Sequence, residues 1–286
     1  MSGQLERSHT SEVTADQIDE LGHMNVRYYV RNAAAGTQSM IDRLGLPLDT
    51  AVVDLYTRHH HEQMLGTQLE VNSGLLEVGG RLGIYHELTN AADGDLGATF
   101  VHVLDHPALE APTVDIPDHG RPRTLELTAD PVASAPSLAQ VQALGLENRA
   151  VRHVDDEDTL GGDVVPPAAA TGLIWGGLPP DGIERNWIQR RDDGVLMGWA
   201  TMESRVNIAS LPAKGTRIQS FGAVTAMERK TNRMVMWSYD LDTEDLLVVF
   251  EVVNLAFDID ERRSMLIPDD VREADKHRLH PEFLPR

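Results

Sequence analysis

The chain has 286 residues, of which 41% are hydrophobic, and its 45 acidic and 25 basic residues give a formal net charge of -20. This length suffices for one large packed domain or two smaller ones, and the negative charge argues against nucleic acid as a partner. Cysteine is absent, which excludes disulfides, thiolate metal ligands and a cysteine nucleophile. No apolar run approaches the ~18 residues of a membrane span. We expect a cytoplasmic protein without a signal peptide.

A short motif near the start of the chain combines an acid, a glycine turn and an imidazole, in the residues Asp19, Gly22, His23, Met24 and Asn25. Apolar residues then recur at helical spacing, and Gly45 stands where a helix-ending glycine belongs. We therefore predict a helix over 25–44. The N–H groups of its first turn are unsatisfied and partly positive, so they can bind a carbonyl or an oxyanion. The simpler alternative is that Asn25 only caps the helix and Gly22 only makes the turn.

A second polar cluster occupies residues 58–62, with the sequence Arg-His-His-His-Glu. On a strand, His60 and Glu62 would share one face. A metal site would need further ligands at suitable spacing, and no H-E-x-x-H pattern is present, so we expect no metal and no cofactor. Two interpretations stay open for this cluster. Either Glu62, together with His60, faces the helix start that carries Asp19, or the cluster is an exposed polar strand.

The pattern in the rest of the first half predicts strands. Alternating apolar and polar residues predict strands at 69–75 and 81–88, and Asp-Gly at 93–94 predicts a hairpin turn before a strand at 96–104. One helix followed by several antiparallel strands predicts a sheet wrapped around a buried helix, an α+β architecture. The segment 106–136 contains six prolines and few aromatic residues, which predicts a linker.

The second half repeats three landmarks of the first half in the same order, which argues for an internal duplication. These landmarks are Asp158-x-x-Gly161, an apolar stretch that ends at Gly177, and Gly215-Thr216 before alternating segments at 234–241 and 246–257. Gly162 stands where the first half has His23, and the prolines at 166–167 would shorten the helix. We therefore predict that the second half carries a degenerate site.

These landmarks resemble the hot-dog-fold thioesterases, and their duplication is similar to the double hot-dog arrangement of acyl-ACP thioesterases and related acyl-CoA thioesterases. The resemblance rests on Asp19-x-x-Gly22-His23-Met24-Asn25-x-x-Tyr28, on Leu44-Gly45-Leu46, and on Gly66-Thr67-x-Leu69. It implies two tandem hot-dog domains, each an antiparallel sheet wrapped around a central helix. The N-terminal domain at 1–105 would carry the active site, followed by the linker at 106–136 and a degenerate C-terminal domain at 137–286.

The resemblance also implies a set of site residues. Asp19 matches the catalytic acid of the 4-hydroxybenzoyl-CoA type, while His23 and Glu62 match catalytic residues of the acyl-ACP group. That group carries a catalytic Asn two residues after the acid, where this chain has Leu21. An oxyanion would be held by backbone N–H groups at Gly22, His23 and Met24. We expect five residues to contact the substrate, namely Gly22, Met24, Asn25, Tyr28 and His60.

The implied activity is hydrolysis of an acyl-CoA or acyl-ACP thioester without a metal, with Asp19 as base or nucleophile. Two alternatives stay open: a hot-dog (R)-enoyl-CoA hydratase or dehydratase, and an acyl-thioester-binding protein without turnover. A monomer and a homodimer are both compatible with a double hot-dog chain. Trp175, Trp187 and Trp199 are candidates for the wall of the acyl pocket, although ordinary core packing is the more common role of such residues.

Overall fold

The computed structural model describes residues 3–47, 49–182 and 188–284, so that Trp187 lies outside the described residues. The chain divides into two compact units. Unit 1 contains the residues up to Thr128 together with 167–169, and unit 2 contains the remaining residues from Ala129 onward. The boundary between the two units falls within the proline-rich segment, after Thr128.

Unit 1 consists of one long helix and a five-stranded antiparallel sheet in the order β1-β3-β4-β5-β2. Its elements are β1 (Glu6–Glu12), a 3₁₀ turn (Ala15–Gln17), α1 (Val26–Leu44), β2 (Val52–His59), β3 (Gln68–Val78), β4 (Arg81–Asn90), β5 (Leu96–Pro107) and a second 3₁₀ turn (Pro167–Ala169). The predicted helix and the three predicted strands of the first half are confirmed.

Helix α1 begins and ends for reasons that are visible in its sequence. The side chain of Asn25 accepts a hydrogen bond from the N–H of Arg27, and Gly45 adopts a left-handed conformation (φ 65°) that lets its N–H reach the last carbonyls. One face of α1 is buried against the sheet, where its apolar residues join two core clusters with strand residues such as Phe100 and Leu104. Burying each such side chain contributes roughly 1.5–3 kcal/mol, which fixes the helix on the sheet.

A buried polar chain lies between these two apolar clusters. The Thr37 hydroxyl is 2.9 Å from His86 Nε2 and 2.7 Å from His102 Nδ1, and the Ser73 hydroxyl is 2.6 Å from His86 Nδ1. Gly36 allows α1 to lie close to the strands at this point, because a Cβ at this position would lie 2.8 Å from the Ser8 hydroxyl. Burial lowers the pKa of His102 to about 3 and also lowers the pKa of His86. Both rings are therefore neutral in the folded protein near neutral pH.

Because the histidines of this buried polar chain are neutral, we expect the protein to lose stability in mild acid. Because the folded-state pKa of His102 lies below the value of 6.5 for an unperturbed histidine, the unfolded chain binds the extra proton first. The stabilisation is complete above pH 6.5 and is lost as the pH falls towards 3. For His102 the loss is about 3 kcal/mol by about pH 4.5. Urea unfolding across this range should show a shallower pH slope for His102→Asn than for the wild type.

The matched control is His106→Asn, a half-buried histidine on the same strand β5. Its pH slope should equal that of the wild type. If the stability of His102→Asn and that of the wild type depend equally on pH, the acid sensitivity does not come from the buried polar chain.

Unit 2 has a sheet in the corresponding order, β8-β11-β10-β9-β6, with β12 paired to β11 and β7 paired to β8. Its elements are α2 (Leu138–Ala143), β6 (Arg152–His153), α3 (Gly172–Trp175), β7 (Gln189–Arg190), β8 (Leu196–Ile208), β9 (Arg217–Met227), β10 (Thr231–Asp240), β11 (Leu246–Asp258), β12 (Arg263–Ser264), α4 (Asp269–Asp275) and 3₁₀ turns at Lys276–Arg278 and Pro281–Phe283. The two strands predicted at 234–241 and 246–257 are confirmed.

The long central helix expected in the second half is not found among the described residues. In its place are a 3₁₀ turn and the single helical turn α3. Prolines at 166–167 remove backbone donors at the start of this stretch, and the glycines at 176–177 end it. The description of each half as a sheet wrapped around a central helix is therefore correct for unit 1 only.

Candidate active site

The motif before α1 folds into a tight hairpin turn. The N–H of Asp19 donates to the carbonyl of His23 (2.9 Å), and the N–H of Gly22 donates to the carbonyl of Asp19 (3.1 Å). Gly22 has φ 89°, a conformation that this turn requires and that side-chain-bearing residues rarely adopt. The Asp19 oxygen Oδ1 accepts from the N–H groups of Leu21 (2.9 Å) and His23 (3.3 Å). One carboxylate oxygen thus stabilises the turn, and the other stays available for a side chain.

The His23 imidazole lies between two carboxylates. Its Nδ1 is 3.1 Å from Asp19 Oδ2, and its Nε2 is 3.2 Å from Glu62 Oε1. The exposed fraction rises from 15% for the His23 side chain to 24% for Asp19 and 42% for Glu62, so solvent reaches the group from the side of Glu62. Both contacts can be hydrogen bonds at once only when the ring carries two protons. A neutral ring leaves one carboxylate free to accept a proton from elsewhere.

Glu62 reaches His23 because the chain leaves the sheet just before it. Strand β2 ends at His59, and the next two N–H groups both donate to the carbonyl of Gly97, at 2.9 and 3.3 Å. The strand-like alternation expected across residues 58–62 therefore stops at His59, and the faces predicted for His60 and Glu62 do not apply.

Two tethers hold the segment that carries Glu62. The Tyr29 hydroxyl accepts from the N–H of Gln63 (2.9 Å) and donates to the carbonyl of His61 (3.3 Å). The N–H of Met24 donates to the carbonyl of Gln63 at 2.7 Å. Tyr29 is buried, and its ring lies edge-on to His59 with ring centroids 5.4 Å apart. A buried tyrosine hydroxyl usually has a hydrogen-bond partner, and here the partners come from a segment that is remote in sequence.

Removing this hydroxyl should slow the thioester hydrolysis that the sequence predicts, without weakening substrate binding. Tyr29→Phe leaves the N–H of Gln63 without its acceptor and loosens the segment that positions Glu62. Because small misplacements of catalytic groups are costly, we expect kcat to fall roughly 10- to 100-fold with KM unchanged. Steady-state kinetics of thiol release measures both constants.

Tyr239→Phe is the control for this substitution, since it also removes a buried hydroxyl, one that donates to the carbonyl of Pro136 in unit 2. It should cost stability but leave kcat unchanged. A normal kcat in Tyr29→Phe would show that the tether has no role in catalysis.

The predicted oxyanion donors already have hydrogen-bond acceptors in this geometry. The N–H groups of Gly22, His23 and Met24 all have acceptors within the turn or on Gln63, because the motif closes as a hairpin before the helix begins. The Met24 side chain is 2% exposed and packs in the core. Within the described residues, the N–H of Val26 at the exposed start of α1 has no acceptor.

Three other residues that were predicted to contact the substrate have defined neighbours in the structure. Asn25 caps α1 through its side-chain oxygen. The Tyr28 hydroxyl donates to the carbonyl of Asp16 (3.2 Å). His60 lies next to His119, with ring centroids 6.3 Å apart, and burial together with nearby Arg58 lowers its pKa to about 4. The structure thus brings Asp19, His23 and Glu62 together but records no contact between His60 and this group.

The corresponding acid in unit 2 has a different role. Asp158 is 7% exposed, and both of its carboxylate oxygens face the guanidinium of Arg152, at 2.5 and 2.9 Å. Arg152 also donates to the carbonyl of Gly172 in α3. With glycine in place of the histidine, this acid forms a buried ion pair and lacks an imidazole partner.

Two further properties concern the described part of the chain as a whole. Within 3–47, 49–182 and 188–284, no group of three or more histidine and carboxylate side chains is arranged to hold a metal ion. None of the helices in these ranges combines the length and the hydropathy that a membrane crossing requires.

Comparison by sequence finds no matching family model and no matching curated protein. Comparison of structures finds the acyl-ACP thioesterase from Bacteroides thetaiotaomicron, with a TM-score of 0.60 and 10% identity over 87% of this chain and 97% of that one. The 12:0-ACP thioesterase from Umbellularia californica matches with a TM-score of 0.58 and 8% identity over 88% and 97%.

A third similar structure is a hot dog fold protein of unknown function from Alicyclobacillus acidocaldarius, with a TM-score of 0.50 and 11% identity over 88% of this chain and 95% of that one. Identities this low establish the fold and leave the activity open. The matches extend over most of both chains, and unit 1 holds its helix against an antiparallel sheet. The chain therefore has an α+β fold similar to that of the hot-dog thioesterases.

Proposed function

We propose that this protein is an acyl thioesterase that hydrolyses an acyl-CoA or acyl-ACP thioester without a metal or cofactor. The observation that carries the proposal is the His23 imidazole held between the carboxylates of Asp19 and Glu62, at 3.1 and 3.2 Å. The acyl-ACP thioesterases with similar structures favour the same reaction class. We further propose that the two units are tandem hot-dog domains and that only the first is catalytic.

The three side chains suffice for the proton transfers of thioester hydrolysis. One carboxylate takes a proton from the attacking water, whose oxygen bonds to the thioester carbon and forms a tetrahedral oxyanion. When the carbon–sulfur bond breaks, the proton returns through His23 to the leaving thiolate, so that acid and thiol are released. The exposed N–H of Val26 and the amide group of Asn25 are the donors nearest in sequence that could bind the oxyanion. Direct attack by Asp19, forming an anhydride that water then opens, uses the same residues.

The proposal is tested by free-thiol release from a panel of acyl-CoA and acyl-ACP substrates, with 2-enoyl-CoA hydration measured in parallel. Thiol release in step with acid formation is the expected result. Hydration without thiol release would assign the protein to the (R)-hydratase class instead. Saturable binding of acyl-CoA with neither reaction would identify an acyl-thioester-binding protein.

A further inference from the structure

Two arginines of α1 stack on the same tyrosine at the start of the helix. The guanidinium carbon of Arg27 lies 5.0 Å from the centre of the Tyr28 ring, and that of Arg31 lies 4.9 Å from it. Arg27 also donates to the Tyr28 hydroxyl, at 3.3 Å. The two residues are one helical turn apart, a rise of about 6 Å along the axis. Tyr28 therefore holds two positive groups close together.

The contacts of Arg31 differ from those of Arg43 on the same helix. Arg31 forms no salt bridge with any carboxylate in the described ranges, and its Nε is buried without a hydrogen-bond acceptor there. By contrast, Arg43 on the same helix pairs with Glu6 and donates to the carbonyl of Arg7. In a chain with a net charge of -20, an arginine that has no carboxylate partner is placed to receive an anion from outside.

The arginine pair follows the candidate site closely in sequence. Arg27 follows the helix cap Asn25 by two residues and His23 by four. The Tyr28 hydroxyl is bonded to the carbonyl of Asp16, just before the turn that carries Asp19. Arg27 and Arg31 therefore lie within about two helical turns of the end of α1 that adjoins the turn carrying His23.

We propose that Arg27 and Arg31 bind the phosphate of the substrate's carrier arm, while Tyr28 holds both guanidinium groups in place. This inference rests on the proposed function, because CoA and the prosthetic group of ACP share a thioester joined through pantetheine to a phosphate. Guanidinium groups bind phosphate through paired, charge-assisted hydrogen bonds. The carboxylates of the catalytic group would otherwise repel such an anion, so the arginine pair supplies the attraction that substrate capture needs.

Binding to the inactive Asp19→Asn background separates this role from catalysis. By titration calorimetry, CoA should bind more tightly than pantetheine, which lacks the phosphates. Adding Arg27→Gln and Arg31→Gln should weaken CoA binding by about tenfold or more and leave pantetheine binding unchanged. Arg31→Lys keeps the charge but loses the planar fork, so an intermediate loss is expected. Arg43→Gln is the matched control and should bind CoA normally.

Turnover by the active enzyme then identifies the carrier. With Asp19 intact, the arginine variants should raise KM for acyl-CoA or for acyl-ACP, whichever is the better substrate, and leave KM for acyl-pantetheine unchanged. Equal losses for CoA and pantetheine, or no loss for either, would overturn the phosphate assignment. Absence of thiol release by the wild type would overturn the proposed function instead, while the comparison of CoA with pantetheine would still decide the role of the arginines.

Discussion

Asp19→Asn is expected to abolish thioester turnover and leave the protein folded. The amide oxygen can still accept from the N–H groups of Leu21 and His23, so the turn is kept. The amide cannot take a proton from water or stabilise a protonated His23. Removing a general acid or base typically costs about 10²- to 10⁴-fold in rate, and we expect a loss of kcat in this range. Thiol-release kinetics and thermal unfolding of the same preparation measure the two effects separately.

Glu20→Gln is the matched control, because it removes the charge of the neighbouring acidic side chain, which is exposed. It should retain the wild-type kcat. An unchanged kcat in both Asp19→Asn and Asp19→Ala would remove Asp19 from the mechanism.

Asp158→Ala is expected to have the opposite outcome, a large loss of stability with turnover retained by each folded molecule. The substitution leaves the guanidinium of Arg152, which is largely buried, without its carboxylate. Breaking one side of a buried ion pair costs about 3–5 kcal/mol. Urea unfolding gives the free energy, and thiol release normalised to the folded fraction gives the activity.

The double variant Asp158→Ala/Arg152→Ala tests the reason for this loss. Because it removes both charges, it should be less destabilised than Asp158→Ala alone. A loss below about 1 kcal/mol in the single variant would mean that the pair contributes little to the fold.

The elements predicted most accurately were those whose signals are local. Helix α1 was placed within one residue, since its apolar spacing and both caps lie in adjacent sequence. Strand β1 was not predicted, because its residues 6–12 are almost all polar and the strand forms only by pairing with β3. The end of β2 at His59 is equally non-local, since it depends on the carbonyl of Gly97.

The candidate site was predictable in its residues and less so in its geometry. The motif and the resemblance together named Asp19, His23 and Glu62, which the structure places in contact. The predicted oxyanion donors have acceptors in the structure, because Gly22 and His23 donate to Asp19 within the turn and Met24 donates to Gln63, which is remote in sequence. The tether at Tyr29 was missed for the same reason, since its partners lie more than thirty residues away.

The two units show how one topology can support different roles at equivalent positions. Both sheets have the same strand order, and both halves carry an acid three residues before a glycine with positive φ. In unit 1 the acid faces an imidazole, and in unit 2 it faces a guanidinium. The chemistry therefore follows the side chain that the acid contacts and not the fold that presents it.

The most direct test of the proposed catalytic group is thiol release from an acyl-CoA by four proteins measured side by side: the wild type, Asp19→Asn, Glu62→Gln and the double variant Asp19→Asn/Glu62→Gln. If the two carboxylates act on His23 as one unit, the wild type releases thiol and acid in equal amounts. The double variant should then be no slower than the slower single variant. Wild-type rates in the double variant, or the absence of thiol release by the wild type, would contradict the assignment of this group as the active site.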